Sequence, residues 1–123
     1  MLELRGRVAT GIADLAGWIT LHADAYMRAT GSTLVPGSLN IVIERSWVMR
    51  TPAIRLDASE VGVGVGLLPC RVGGIAGWIF RTDRNNLGDG DHAMNVLEVV
   101  AAVHLRAALG LRDGDEITVE IDE

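Results

Sequence analysis

The stretch 36-PGSLNIVIE-44 shows the pattern on which the fold prediction rests. A Pro-Gly turn signal precedes a segment in which every second side chain, from Leu39 onward, is a branched aliphatic. Side chains leave a strand on alternate faces, so these aliphatic residues share one face while Ser38 and Asn40 share the other. The stretch therefore predicts a β-strand with one buried face and one polar face.

Similar strand signals occur along the whole chain. They lie at Leu2–Ala9, 53–57, 61–71, 75–81, Val96–Val100 and Glu116–Ile121, with a weaker candidate at 18–20 and a Gly73-Gly74 hairpin turn. Helical spacing that ends at a glycine is found at residues 21–30 and 103–109. Seven or eight short strands with two helices predict a mainly β protein, a small barrel with short helical insertions, and disfavour a layered α/β fold.

The composition indicates a folded globular protein. The chain has 123 residues, of which 49% are hydrophobic, and this length corresponds to one domain, residues 1–123. No apolar run approaches the roughly 20 residues of a membrane span, and the N-terminus lacks the order of a signal peptide. The single cysteine, Cys70, lies in an apolar stretch and is interpreted as a small core residue. We therefore expect a cytoplasmic protein that binds no membrane.

The charge pattern excludes several kinds of site. The net charge is −5 and the basic residues form no stripe, which argues against a nucleic-acid surface. All eleven basic residues are arginine, and the chain contains no lysine. A Walker A lysine, a Schiff-base lysine and a kinase-type strand lysine are therefore excluded.

Two glycine-containing turns are candidates for ligand binding. The turn within residues 10–17 either brings backbone N–H groups to an anion or is an ordinary connection between elements. Ser38 and Asn40 present a hydroxyl and an amide oxygen on one strand face, and such hard, neutral ligands suit Mg²⁺. The alternative is that both are polar residues on a solvated face.

Candidates for chemistry also occur toward the C-terminus. Glu98 interrupts the apolar run 96-VLEVV-100, so it lies either on the wet side of the sheet or in a pocket. His104 is either a surface or capping residue or an acid–base group. Residues 82–93 are polar and glycine-rich, and a loop of this length in a small domain is often functional.

In their order along the chain, these elements resemble the archaeal-type, CTP-dependent riboflavin kinases. The resemblance rests on the strand and turn 6-GRVATG-11, the 36-PGSLN-40 turn after a glycine-closed helix, the strand 96-VLEVVA-101, the Leu105-Arg106 helix and the turn 111-LRDGD-115. It covers nearly the whole chain, and its most specific parts are the GSLN and LEVV elements in this order.

The resemblance implies a six-stranded cradle-loop β-barrel and a phosphotransferase. The implied reaction transfers the γ-phosphoryl group of CTP to the ribityl 5′-hydroxyl of riboflavin, which gives FMN and CDP. It also implies Mg²⁺ as the cofactor. CTP/CDP and riboflavin/FMN are then the partners of a monomer or small homo-oligomer.

The resemblance also implies roles for individual residues. Ser38 and Asn40 match the Mg²⁺ ligands, Glu98 matches a flavin-contacting glutamate that would act as the catalytic base, and Asn85 falls near a flavin-contacting residue. The nucleotide-contacting segments match Gly11, Ile12, Ala13 and Asp14, and Val103, His104, Leu105 and Arg106.

Two other classes of function remain open at this stage. The barrel could be a non-catalytic or divergent module of the same fold that binds a nucleotide or another small ligand. It could also be a structural or DNA-associated barrel, although the net charge of −5 counts against that function.

Overall fold

A computed structural model describes residues 1–10, 15–90 and 93–122 of the protein. The elements in these ranges are, in chain order, β1 (Leu2–Ala9), α1 (Leu15–Leu21), α2 (Ala23–Thr30), β2 (Leu39–Ile43), β3 (Ile54–Leu56), α3 (Ala58–Val61), β4 (Val65–Val72), β5 (Ile75–Thr82), α4 (Asp83–Asn86), β6 (Val96–Val100), α5 (Leu105–Leu109) and β7 (Glu116–Ile121).

Six of the strands form a closed antiparallel barrel. The order around it is β4-β5-β6-β2-β1-β7, and β7 closes the ring by pairing with the end of β4, where Arg71 lies opposite Glu120. The short strand β3 pairs with the other end of β4 and lies outside the ring. The predicted mainly β fold, a six-stranded barrel with short helical insertions, is confirmed.

The apolar residues form two clusters, one on each face of the sheet. The inward-facing residues of the strands, such as Ile41 and Leu97, fill the barrel. The second cluster lies outside, where Ile19 of α1 and Tyr26 of α2 pack against Phe80 of β5. The strands beneath these helices are therefore buried on both faces, and each fully buried aliphatic side chain contributes about 1.5–3 kcal/mol.

The single cysteine belongs to the first cluster. Cys70 is buried on β4, and its burial raises the pKa of the thiol to about 12. A thiol with such a pKa is protonated at neutral pH and is a poor nucleophile. The interpretation of Cys70 as a small core residue is confirmed.

The sequence pattern predicted most strands to within a few residues. Leu2–Ala9 and Glu116–Ile121 have the predicted bounds, and the Gly73-Gly74 hairpin turn is present with φ of +56° and +81°. Both angles are in the left-handed region, as a type I′ turn requires. The predicted strand at 61–71 begins later, because residues 57–60 form a capping box that starts α3.

The helices on the outer face of the sheet, α1 and α2, were predicted less well than the strands. The weak strand candidate at 18–20 lies within α1, where Leu15 and Ile19 occupy adjacent turns of one face and pack on the second cluster. The helix predicted at 21–30 is α2, which ends at Gly31 in the left-handed conformation. The helix predicted at 103–109 begins at Leu105. The described residues contain five short helices instead of two, and none of them is long and apolar enough to span a membrane.

The predicted loop at 82–93 begins with a turn of helix. The hydroxyl of Thr82 accepts a hydrogen bond from the backbone N–H of Asn85 at 3.1 Å, which caps α4. Residues 91 and 92 of this loop lie outside the described residues.

Candidate functional site

The pairing of β2 with β6 brings two predicted site segments together. Asn40 lies directly opposite Glu98 in the antiparallel register, and Phe80 of β5 is the other neighbour of Glu98. The hydroxyl of Ser38, just before β2, donates a hydrogen bond to Oε1 of Glu98 at 3.4 Å. The two predicted metal ligands and the predicted base therefore form one cluster, the Ser38–Asn40–Glu98 cluster.

Asn40 is the unusual member of this cluster. Only 6% of its surface is exposed, and its amide oxygen Oδ1 is buried with no hydrogen-bond partner among the residues that the structure describes. An unsatisfied buried acceptor costs about 1–3 kcal/mol, so this oxygen can accept a hydrogen bond or a metal ion without giving up a contact within the described residues. The residue paired with Asn40 on the other side is Ala9, at the end of β1. The amide thus lies beside the place where the chain enters residues 11–14.

The donor chemistry of the cluster fits Mg²⁺. Hydroxyl and amide oxygens are hard, neutral ligands, and Mg²⁺ usually keeps several waters and takes few protein ligands. Within ranges 1–10, 15–90 and 93–122, no group of three or more His, Cys, Asp or Glu side chains could hold a metal ion. A cation bound at Ser38 and Asn40 would therefore complete its coordination with water or with phosphate oxygens, which is the usual arrangement in phosphate-transferring sites.

Glu98 lies between a polar and an apolar environment. It is half-buried, whereas Val96 and Val100 on the same face of β6 are buried, Val100 against the helical layer. Glu98 therefore lies between the two alternatives left by the sequence: its side chain is partly exposed, beside neighbours that are buried.

A small cavity joins the 36–40 turn to the predicted nucleotide segment. It has a volume of about 80 Å³, and its walls include Gly37, Ser38 and the four residues Val103, His104, Leu105 and Arg106. A hydrogen bond of 2.9 Å from the N–H of Val35 to the carbonyl of Ala101 holds the two segments side by side. The structure therefore brings the predicted nucleotide residues 103–106 next to the predicted metal ligands.

His104 has a structural role in this region. It is exposed at the N-terminus of α5, and its Nδ1 accepts a hydrogen bond from the N–H of Ala107 at 3.3 Å. This contact is a helix cap, so the surface or capping interpretation is confirmed. The cap uses the imidazole acceptor, which leaves Nε2 as the ring atom that can face a ligand.

Arg106 is part of a chain of polar contacts that ends beside the first turn. Its guanidinium pairs with Oδ1 of Asp113, and Oδ2 of the same carboxylate accepts a hydrogen bond from the Thr10 hydroxyl at 2.6 Å. These two contacts hold the pKa of Asp113 below its ordinary value. Thr10 precedes Gly11, Ile12, Ala13 and Asp14, the predicted phosphate-side turn, which lies outside the described residues.

Asn85, the remaining predicted residue, lies on α4 directly after β5 and is half-buried.

One buried polar residue near the cluster was not predicted from the sequence. Arg81 follows 75-IAGWIF-80 and shares the inward face of β5 with Ile79, and only 3% of its surface is exposed. The sequence contained a sign of this burial, because Arg81 is two residues after Ile79 and so falls on the face of the strand that the alternation predicts to be buried.

Comparison with known proteins identifies relatives over almost the whole chain. A family model named CTP-dep_RFKase, with the description "Domain of unknown function DUF120", matches residues 8–121. A protein named riboflavin kinase from Pyrobaculum arsenaticum is 34% identical over 98% of this chain. Proteins of the same name from Pyrobaculum aerophilum and Methanocella arvoryzae are 32% and 29% identical over 98% and 97% of it. The alignments cover 60%, 60% and 56% of these three relatives, so the chain spans little more than half of their length.

Proposed function

Since this chain belongs to the CTP-dependent riboflavin kinase family, we propose that it phosphorylates riboflavin to FMN with CTP as the donor. The observation that supports this function best is the Ser38–Asn40–Glu98 cluster, in which a buried amide oxygen without a partner lies beside a hydroxyl and a carboxylate. We propose further that residues 1–123 form a single barrel domain of this enzyme.

The proposed step is an in-line phosphoryl transfer. The ribityl 5′-hydroxyl oxygen of riboflavin forms a bond to the γ-phosphorus of CTP, while the bond from that phosphorus to the β–γ bridging oxygen breaks and CDP leaves. The hydroxyl proton passes to the carboxylate of Glu98, which later releases it to solvent. Such a step depends on positioning and charge neutralisation more than on covalent help from the protein, so the lack of lysine is compatible with it.

Ser38 and Asn40 are the residues that would hold Mg²⁺. When bound, the ion would neutralise part of the phosphate charge. The backbone of Asn40 is held between β1 and β6, because both neighbouring strands are paired with β2, and its side chain is buried. Ser38 is held by its contact with Glu98 and can rotate its hydroxyl toward a ligand.

The nucleotide would lie across the surface between the 36–40 turn and residues 103–106, with only a small part of it in the cavity there. Its phosphates would then reach the cluster from the side of Ala9 and Thr10, since Ala9 pairs with Asn40. Arg106 is already paired with Asp113, so we assign it to the wall of this cleft and leave phosphate binding to backbone N–H groups and Mg²⁺. Riboflavin would approach from the opposite side, between Glu98 and the 82–93 loop that carries Asn85.

Incubation with riboflavin, Mg²⁺ and each of the four nucleoside triphosphates in turn tests this function. We expect FMN with CTP and much less with the other three donors. FMN formation with ATP at a rate equal to that with CTP would contradict the proposed donor. Riboflavin binding without any FMN would instead favour a non-catalytic ligand-binding barrel of the same fold.

A further inference from the structure

Arg81 is a buried charge at the base of the 82–93 loop. It is the next-to-last residue of β5 and lies at one end of the barrel interior, where Trp47 packs against the first apolar cluster. Burial lowers the pKa of its guanidinium, and the negative charge of Glu98 opposes this effect. A buried guanidinium is tolerated only where its donors are satisfied, so its contacts are informative.

The guanidinium binds backbone carbonyls from two segments. It donates hydrogen bonds to the carbonyl of Trp47, to that of Val96 at 2.8 Å and to that of Met94 at 3.4 Å. It also lies 5.2 Å from the centre of the Trp47 ring, in a cation–π contact. A planar group with five N–H donors can satisfy several fixed acceptors at once, which an ammonium group cannot do with the same geometry.

These two segments carry the strands of the candidate site. Met94 and Val96 lead into β6, which holds Glu98, and Trp47 follows β2, which holds Asn40. The segments are also joined directly, since the N–H of Trp47 donates to the carbonyl of Met94 at 3.1 Å. Arg81 therefore joins the end of β5 to the adjoining ends of the two strands that carry the site, the end of β2 and the start of β6.

The same contacts close the base of the 82–93 loop. The chain enters this loop immediately after Arg81 and returns at Met94, whose carbonyl Arg81 binds. The first turn of the loop is tied to the same region, because the Asn86 amide accepts from the N–H of Met49 and donates to its carbonyl, both at 2.8 Å. The loop is thus anchored at its two ends around one buried guanidinium.

We infer that Arg81 is a positioning residue for riboflavin: it closes the base of the 82–93 loop and fixes the strand that carries Glu98 relative to it. This inference rests on the proposed function. Arg81 acts through backbone carbonyls, so it is not a catalytic residue. Residues 44–46 separate Trp47 from β2, and the cavity beside residues 103–106 does not include Arg81 in its lining, so nucleotide binding should depend on Arg81 less than riboflavin binding does.

Arg81→Met and Arg81→Lys test the inference, with Arg71→Met as the matched control. Methionine keeps an apolar stem without donors, lysine keeps the charge without the planar fork, and Arg71 is an exposed arginine on β4. The readouts are riboflavin affinity from quenching of flavin fluorescence, the KM values for riboflavin and CTP, and the melting temperature. We expect Arg81→Met to weaken riboflavin binding at least tenfold while the KM for CTP changes less than twofold. Arg81→Lys should fall between this variant and the wild type, and Arg71→Met should match the wild type.

A purely structural role predicts a different result. It would lower the melting temperature and the active fraction but leave the riboflavin affinity of the folded protein within twofold of the wild type, which would overturn the inference. Equal increases of both KM values would do the same. If Arg81→Met does not fold, Arg81→Lys decides: a riboflavin affinity reduced at least threefold with an unchanged KM for CTP supports positioning, and an unchanged affinity rejects it.

Riboflavin binding and FMN formation by the wild-type protein distinguish a failure of this inference from a failure of the proposed function. A wild type that neither binds riboflavin nor forms FMN overturns the proposed function and the inference together. A wild type that does both, with Arg81 variants that bind riboflavin normally, overturns the inference alone.

Discussion

Asn40 is a buried amide on a strand face that the sequence pattern marks as polar. Within the described part of the chain, its Oδ1 atom accepts no hydrogen bond. Burial of this atom therefore lowers the stability of the folded protein by its desolvation cost. Ser38 and Glu98, by contrast, satisfy each other. The amide oxygen is therefore the atom of the cluster that is best prepared to accept an added ligand.

Replacement of Asn40 should separate activity from stability. We expect Asn40→Ala to lower FMN formation at least about tenfold, because a proposed metal ligand is removed. The free energy of unfolding should stay within about 1 kcal/mol of the wild type, since the lost contacts are offset by the removal of an unsatisfied acceptor. Val42→Ala, at the next outward position of β2, serves as the control. Near-normal turnover of Asn40→Ala at all Mg²⁺ concentrations would rule out its role as a metal ligand.

Replacement of Glu98 should reveal which part of the reaction it serves. We expect Glu98→Gln to lower the rate at saturating riboflavin by at least about tenfold, the usual range for loss of a general base. Fluorescence quenching measured beside the rate gives the flavin affinity, and Glu44→Gln, at an exposed position just after β2, is the control. A loss of affinity alone would mean that Glu98 only holds the ribityl chain. If neither quantity changes, riboflavin does not bind beside Glu98.

At the scale of elements, Asp113 connects three parts of the fold. Its carboxylate lies in the turn before β7, pairs with Arg106 of α5 and accepts from Thr10 after β1. The same turn is bonded to β1 through the N–H of Gly114 and the carbonyl of Val8 at 2.7 Å. The position of α5 relative to β1 thus depends on this exposed carboxylate.

The lowered pKa of Asp113 predicts a pH dependence of stability. A carboxylate whose pKa is lower in the folded than in the unfolded chain stabilises the fold at pH values above its ordinary pKa, which is 3.8 here. This contribution is lost as the pH falls through the pKa of the folded state. We expect the wild type to melt at a higher temperature than Asp113→Asn from about pH 5 to 7, and the difference to shrink below about pH 4. A difference that is constant down to pH 2, or that grows with acidity, would contradict this linkage.

The elements differ in how well the sequence predicts them. Strands with clean alternation, such as Leu2–Ala9, are found with the predicted bounds because one face is buried in the barrel. α1 was not predicted, because its helical pattern consists of only two buried residues, Leu15 and Ile19. These residues are buried by packing against the outer face of the sheet, which the local sequence does not show. The role of Arg81 could not be predicted for the same reason, since the carbonyls that it binds come from distant segments.

The sequence predicted which residues belong to the candidate site better than it predicted their arrangement and burial. The residue types of Ser38, Asn40 and Glu98 pointed to chemistry, and the strand register explains why they meet. The burial of Asn40 was not predicted, because alternation alone places it on a polar face. Whether a strand face is wet depends on what covers it, and this is a tertiary property that local periodicity does not contain.

At the scale of the whole molecule, the two apolar clusters define where a ligand can bind. The interior of the barrel is filled by side chains, and part of the outer surface of β4 and β5, around Leu67 and Phe80, is covered by α1 and α2. The outer face of β2 and β6 lies beside this cover, and the cluster with Asn40 and Glu98 is placed there. In the proposed function, the two substrates approach this strip from the cavity beside residues 103–106 and from the side of α4, which carries Asn85.

Transfer of labelled phosphate tests the central claim most directly. The protein is incubated with riboflavin, Mg²⁺ and CTP labelled with ³²P at the γ-position, and FMN is separated from CTP and inorganic phosphate. We predict that the label appears in FMN, one per flavin phosphorylated, and that this product is at least about tenfold less abundant with Asn40→Ala. Label found only in inorganic phosphate, or no turnover of CTP in the presence of riboflavin, would contradict a riboflavin kinase built on the Ser38–Asn40–Glu98 cluster.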